Sequence, residues 1–371
     1  MTDTAGSIEE PSGAAAVTAL GFVLSGLAMA GLLSPVSRGV DDPALLAALG
    51  LTAVATVVFV GRRHGGIDRQ IGVPVAGVAA LGVVALSAYV LNQGIYGETT
   101  LPLVGSVPLV LGSFLAAFGA LGMAVADYGN VSADGLKHRT ILTVSLAAVG
   151  VIGLLGAVLA TFLLSVPAYA IFGEFTQTQQ TALSQFGMAI GTAAVAVGYL
   201  EFSDRGISFL DLGRPSKWDV AWIVGGVIVL FGTLLAISTF LTSAGLEGAE
   251  HGTAQQAQDN PEILLVMIPA SILIIGPFEE LLFRNVIQKA MYGTFSRSGA
   301  VVVASVLFAA VHAPAYGTDT AGAVLVSLGV VFGLSIVLGV IYERTENVLV
   351  PGFVHGIYNA VLFASMYASM V

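Results

Sequence analysis

The sequence has no cysteine, which excludes disulfides, thiolate nucleophiles and sulfur-ligated metals. Charge is scarce as well. Only 10% of its 371 residues are Asp, Glu, Lys or Arg, against 56% hydrophobic residues and a mean hydropathy of +0.92. Soluble domains carry roughly 25% charged residues, so a soluble globular fold is excluded. There is no basic patch and no nucleic-acid motif, so no nucleic-acid partner is expected. The opening stretch "MTDTAGSIEEPSGA" has no positive segment of the kind that starts a secretory leader, and the first apolar run is expected to be a retained span.

Long apolar runs are what remains. A spanning helix needs about 20 mostly apolar residues, and runs of that kind lie near 15–36, 43–61, 72–91, 107–126, 140–165, 186–200, 218–243, 262–291, 299–316, 321–342 and 348–370. The expected fold is therefore an all-α polytopic membrane protein, a bundle of about eleven transmembrane helices in the lipid bilayer. Glycine is abundant (46 residues) and recurs within the runs, where small residues allow close helix approach. Basic residues mark orientation. With the connections numbered from one, the even ones hold Arg62, Arg63, Arg69, Lys137, Arg139, Arg205, Arg214, Lys217, Lys289, Arg297 and Arg344, and the odd ones hold only Arg38. The expectation is a multi-pass protein of the cell membrane with a cytoplasmic N-terminus and an extracytoplasmic C-terminus. The polar linker "DYGNVSADGLKHR" separates a polar tail (1–14) and a four-helix region (15–135) from a region spanning 140–371. The acidic loop 245–262 reads as a solvated outward connection.

Against this background "IPASILIIGPFEELLFRNVIQKAM", residues 268–291, is anomalous. Ionisable groups at membrane depth cost at least a few kcal/mol each and usually face a bundle interior or a watery cavity. Glu280 and Arg284 are four apart on one helical face and can pair, whereas Glu279 points about 100° away. Pro277 loosens the helix just before them. "SVLFAAVHAP" puts Phe308 and His312 on one face of the next helix, and "PGFVHGIYNA" does the same for His355 and Asn359. At 1.5 Å per residue, Glu279 and His312 lie roughly 18–20 Å from the 292–298 turn, and His355 and Asn359 about 10 and 16 Å from their own end. All four are expected to converge in a polar cavity facing the cytoplasm.

Such a set suits hydrolysis. A buried glutamate can take a proton from water, and Asn or His N–H groups can stabilise an oxyanion. The same residues have an alternative use, since Glu279, His312 and His355 form a His₂Glu set of the kind that binds a divalent metal such as zinc. No HExxH helix and no GxSxG elbow is present. A membrane transporter using the carboxylate and histidines as a proton relay is a further reading, though no inverted repeat supports it. A catalytically idle immunity or scaffold protein of the same fold is another.

"EELLFR", "FAAVH" and "HGIYN" resemble, in order, the EExxxR, FxxxH and HxxxN motifs of the CAAX-protease and bacteriocin-processing (CPBP) family of intramembrane endopeptidases. The resemblance covers about 140–371, with the motifs confined to 276–360. It implies that Glu279 activates water, that His312 helps to hold that water, and that His355 and Asn359 donate to the oxyanion. Glu280, Arg284 and Phe308 support the site. The implied substrate is a membrane-associated protein or peptide. The four helices before residue 140 are additional to the family core. The chain also ends twelve residues after Asn359, where family members often carry a further helix.

Overall fold

A computed structural model describes residues 13–101, 105–317 and 319–371, with the backbone alone described for 13, 14, 99–101, 105 and 106. Most of the polar tail 1–14 thus lies outside the described residues. Ten of the described helices are long and apolar enough to cross a membrane. They are α1 (Gly13–Ser37), α2 (Pro43–Arg63), α3 (Arg69–Asn92), α4 (Leu109–Tyr128), α5 (Ala133–Phe172), α6 (Gln177–Phe202), α7 (Lys217–Ser243), α9 (Ile263–Met291), α11 (Ala321–Thr345) and α12 (Leu349–Met370). Between them lie a short helix, α8 (Gly252–Asp259), and an apolar helix of 15 residues, α10 (Arg297–Val311). The chain is an all-α polytopic membrane protein. Its only described strands are β1 (Glu98–Leu101) and β2 (Gly105–Pro108), an antiparallel hairpin between α3 and α4.

The backbone divides into two compact units, 1–140 with 320–325, and 141–319 with 326–371. In the first, α1–α4 pack pairwise around small side chains, among them Ala28, Ala48 and Ala117, with Leu32 and Val90 filling the gaps. Asp42 and Asp68 cap α2 and α3, Asp42 accepting two and Asp68 one of the backbone N–H groups that the first helical turn leaves unpaired. Arg62 closes the α2–α4 contact with a two-pronged bond to Asp127, Nε to Oδ2 and Nη2 to Oδ1, both at 3.0 Å.

In the second unit α5 and α6 cross with Gly156 and Gly191 in backbone contact, where no Cβ fits. Thr176 with Gln179, and Ser216 with Asp219, form capping boxes that start α6 and α7. The loop between those helices is stapled down by Asp211. Its carboxylate takes Lys289 Nζ at 2.7 Å and the Tyr342 hydroxyl at 2.6 Å, and its backbone N–H donates to Asn285 Oδ1 at 2.6 Å.

Two segments differ from their sequence reading. The run 299–316 is helical only to Val311, after which Ala313–Tyr316 forms a 3₁₀ turn. The loop 245–262, expected to be solvated, is partly buried. Ala249 and Ala257 lie in the core, Ser327 Oγ donates to the Ala249 carbonyl at 3.0 Å, and Phe363, Met366 and Tyr367 of α12 pack on the cluster that holds Ala257.

Candidate active site

The site is built on α9, which is not a uniform helix. An α-helical stretch, Gly276–Glu280, sits between two π-helical ones, Ser271–Ile275 and Leu281–Gln288. π turns are rare and concentrate at functional sites. Pro277 has no N–H for the helical ladder, and the first π stretch lies just ahead of it. Here α9 crosses α12. A Cβ on Gly276 would strike the Gly352 carbonyl oxygen and lie 2.7 Å from the Gly356 nitrogen, and one on Gly356 would lie 2.7 Å from Ile272 Cα. The glycines flanking His355 therefore let the two backbones touch, which brings α12 within reach of Glu280.

Glu280 and Arg284 are fully buried and paired, Oε2 to Nε at 2.7 Å. Each has a further partner. Arg284 Nη2 donates to Ser335 Oγ at 2.9 Å, and His355 Nδ1 lies 3.1 Å from Glu280 Oε1. Glu279 is directed elsewhere. Its Oε2 lies 3.9 Å from His312 Nε2 and 4.0 Å from His355 Nε2, and although buried it has no hydrogen-bond partner.

Both ring tautomers follow from chemistry. A carbonyl or carboxylate oxygen only accepts, so His312 Nδ1–H donates to the Phe308 carbonyl (2.7 Å) and His355 Nδ1–H donates to Glu280. In the neutral rings both Nε2 atoms are then lone pairs facing Glu279. Phe308 packs at the centre, edge-on to Phe283 (5.0 Å), tilted against His312 (4.4 Å) and under the Arg284 guanidinium (5.0 Å). Asn359 lies one turn beyond His355 on α12, half-buried, and takes no part in these hydrogen bonds.

Second partners such as those on both Nδ1 atoms also accompany metal-ligating histidines, so the fit of a zinc ion can be tested. Zinc bonds of about 2.0–2.2 Å put tetrahedral ligand atoms about 3.3 Å apart. The separations of 3.9 and 4.0 Å are wider, and among the described residues no three His, Asp or Glu are arranged to hold a metal ion. A water within hydrogen-bond reach of both Glu279 and a histidine suits the spacing, at about 2.8 Å from each.

Beside this cluster lies a cavity of about 250 Å³ whose wall includes Glu279, His312, Phe283, Thr192, Met188 and His251. The sequence placed its opening toward the cytoplasm. The wall comes from α5, α6, α9, the end of α10 and the segments before α9 and after α10. It shares Ala157 and Met188 with an open groove of about 510 Å³ on the α5–α6 face.

Sequence reasoning brought forward Glu279, Glu280, Arg284, Phe308, His312, His355 and Asn359 but missed Ser335 and His251. Ser335 is a lone hydroxyl in an apolar helix, and no local pattern distinguishes it. His251 stands among polar loop residues.

Carboxylates and histidines thus lie close together inside the helix bundle of a membrane protein. Residues 261–361 match the Rce1-like family, described as type II CAAX prenyl endopeptidase Rce1-like. The match is confined to this segment of the 371-residue chain, which there is similar to CAAX-protease-like (CPBP) endopeptidases. No curated protein and no solved structure matches the chain.

Proposed function

We propose that the protein is an intramembrane endopeptidase that hydrolyses a membrane-associated protein or peptide with water activated by Glu279. The observation that carries this reading is the unpartnered Glu279 Oε2 facing two histidine Nε2 atoms at 3.9 and 4.0 Å. Water between Glu279 and His312 donates one hydrogen to each. As its oxygen attacks the scissile carbonyl carbon, its proton passes to Glu279. The carbonyl oxygen becomes an oxyanion, for which His355 (in its doubly protonated form) and Asn359 are the donors the family pattern assigns. Glu279 then returns the proton to the leaving nitrogen as the C–N bond breaks. Glu280 is a positioning residue, with Arg284 on one oxygen and His355 on the other.

The orientation on this reading is N-terminus cytoplasmic and C-terminus outside, in the cell membrane, from the eleven-to-one charge bias. The test of function is reconstitution in proteoliposomes with a mixed peptide library, comparing the parent protein with Glu279→Ala by mass spectrometry. New peptide ends that the variant fails to produce support the reading, and identical products from both overturn it.

A further inference from the structure

His251 lies ten residues ahead of the segment that matches the family, yet it lines the same cavity as Glu279 and His312. Two contacts hold its ring. The Thr253 backbone N–H donates to Nδ1 at 3.1 Å, and the ring stands edge-on to Tyr316 at 5.2 Å and 85°. The loop carrying it is anchored by the Ser327 bond to Ala249 and by buried Ala257.

A ring nitrogen that accepts a hydrogen bond carries no proton, so the proton of His251 sits on Nε2. Burial above all pushes His251 below the usual histidine range, which favours the neutral ring. Its arrangement is thus the reverse of that in His312 and His355. In their neutral forms they commit Nδ1–H and turn a lone pair toward Glu279, whereas His251 commits the lone pair and keeps Nε2–H. That N–H has no protein acceptor among the described residues.

The proposed reaction can use such a group on this wall, beside the donors on α12. Water held by Glu279 attacks a carbonyl in the same space, and the carbonyl oxygen gains negative charge. The neighbouring wall offers a carboxylate, the His312 lone pair, the Thr192 hydroxyl and apolar side chains. His355 and Asn359 are not part of this wall.

We propose that His251 is a third histidine of the site, whose Nε2–H donates a hydrogen bond to the oxygen of the carbonyl under attack. The inference rests on the endopeptidase reading. No proton leaves His251 in the reaction; it stabilises the oxyanion by hydrogen bonding alone. Removing one such donor elsewhere lowers kcat by about 10²–10³-fold.

The test uses full-length protein in proteoliposomes, one peptide that it cleaves, and the corresponding peptide aldehyde, whose hydrate mimics the tetrahedral intermediate. The variants are His251→Leu, which has neither cap nor donor, His251→Asp, which keeps the cap acceptor, and His251→Asn, which keeps both. Leu and Asp are expected to lower kcat by about 10²-fold, with little change in KM. The aldehyde should weaken in parallel with kcat/KM, and Asn should recover much of the loss. Melting temperature reports the cap separately, so Asp and Asn should melt together above Leu. Aspartate as active as asparagine would show that only the cap matters and would overturn the proposal. Leucine within threefold of the parent does the same. Glu279→Gln is run alongside. If it cleaves like the parent, water activation by Glu279 fails and takes this inference with it. If it is dead while His251→Leu is unimpaired, only the role of His251 is lost.

Discussion

Two regions of this chain bury a charge pair, and they do so differently. In the N-terminal unit Arg62 meets Asp127 with two N–H groups, one on each carboxylate oxygen. The acid is satisfied by its base and joins α2 to α4. In the C-terminal unit Arg284 places one N–H on Glu280 Oε2, leaving Oε1 for His355 and sending Nη2 to Ser335. The first pair is closed. The second passes its polarity on, and its chain of contacts ends at Glu279, whose Oε2 has no hydrogen-bond partner. In a medium where unpaired charge is costly, an unfinished network is a better marker of chemistry than a buried pair.

Four substitution experiments and one ligand experiment test that distinction. The largest effect is expected for Glu279→Gln. Peptide cleavage should fall at least about 10²-fold, the lower range for general-base catalysis, in a protein that still inserts and melts normally. Activity within a few-fold of the parent would remove Glu279 from its role. Next come Glu280→Ala and Arg284→Ala. Each strands the other charge, and breaking a buried pair costs roughly 3–5 kcal/mol in soluble proteins. Melting in detergent should drop for both, with part of the loss recovered in the charge-swapped double variant. Greater stability loss from Glu279→Ala than from either would reverse the assignment of the two carboxylates.

The closed pair should behave otherwise. Asp127→Asn is expected to cost about 2 kcal/mol, the scale of a hydrogen bond to a charged group, while specific activity of the folded fraction stays unchanged; loss of activity without loss of stability would show that the first unit takes part in the chemistry. A smaller effect, about 1 kcal/mol, is expected for Asp211→Asn, whose ion pair with Lys289 is partly exposed; denaturant titration measures it. No effect is expected from dialysis against a chelator. A cleavage rate that collapses and returns with added zinc would show that the ligand set closes up around a metal.

The apolar runs made most of the fold legible, because a lipid-facing helix must be apolar along its whole length. The run 186–200 came out short because "QTQQTALSQ" at the start of α6 is polar. Arg62 and Asp127 were counted with the loops, since near a helix end nothing in the local sequence separates a snorkelling charge from a paired one. Glu280 with Arg284 was readable from a spacing of four. The bond from Glu280 to His355 joins residues 75 apart and leaves no trace in periodicity. His251 was hidden for a different reason. Its polar neighbours describe a solvated loop, whereas in the structure α10 ends at Val311 and the loop is tied inward by the Ser327 bond to Ala249.

The glycine crossing of α9 and α12 acts as a pivot. Where peptide groups touch, covalent geometry sets the gap and no side chain can yield. Membranes of different thickness tilt helices, but a rotation moves each atom in proportion to its distance from the fulcrum. Glu280 is four residues from Gly276, about 6 Å along the axis, and His355 adjoins Gly356. A tilt of about 10° displaces groups that near by only about 1 Å, while the helix ends swing several times farther. On the proposed reading, groups this near the fulcrum should keep their geometry as bilayer thickness changes, so acyl chain length is expected to govern how substrate reaches the site far more than how fast it reacts once there.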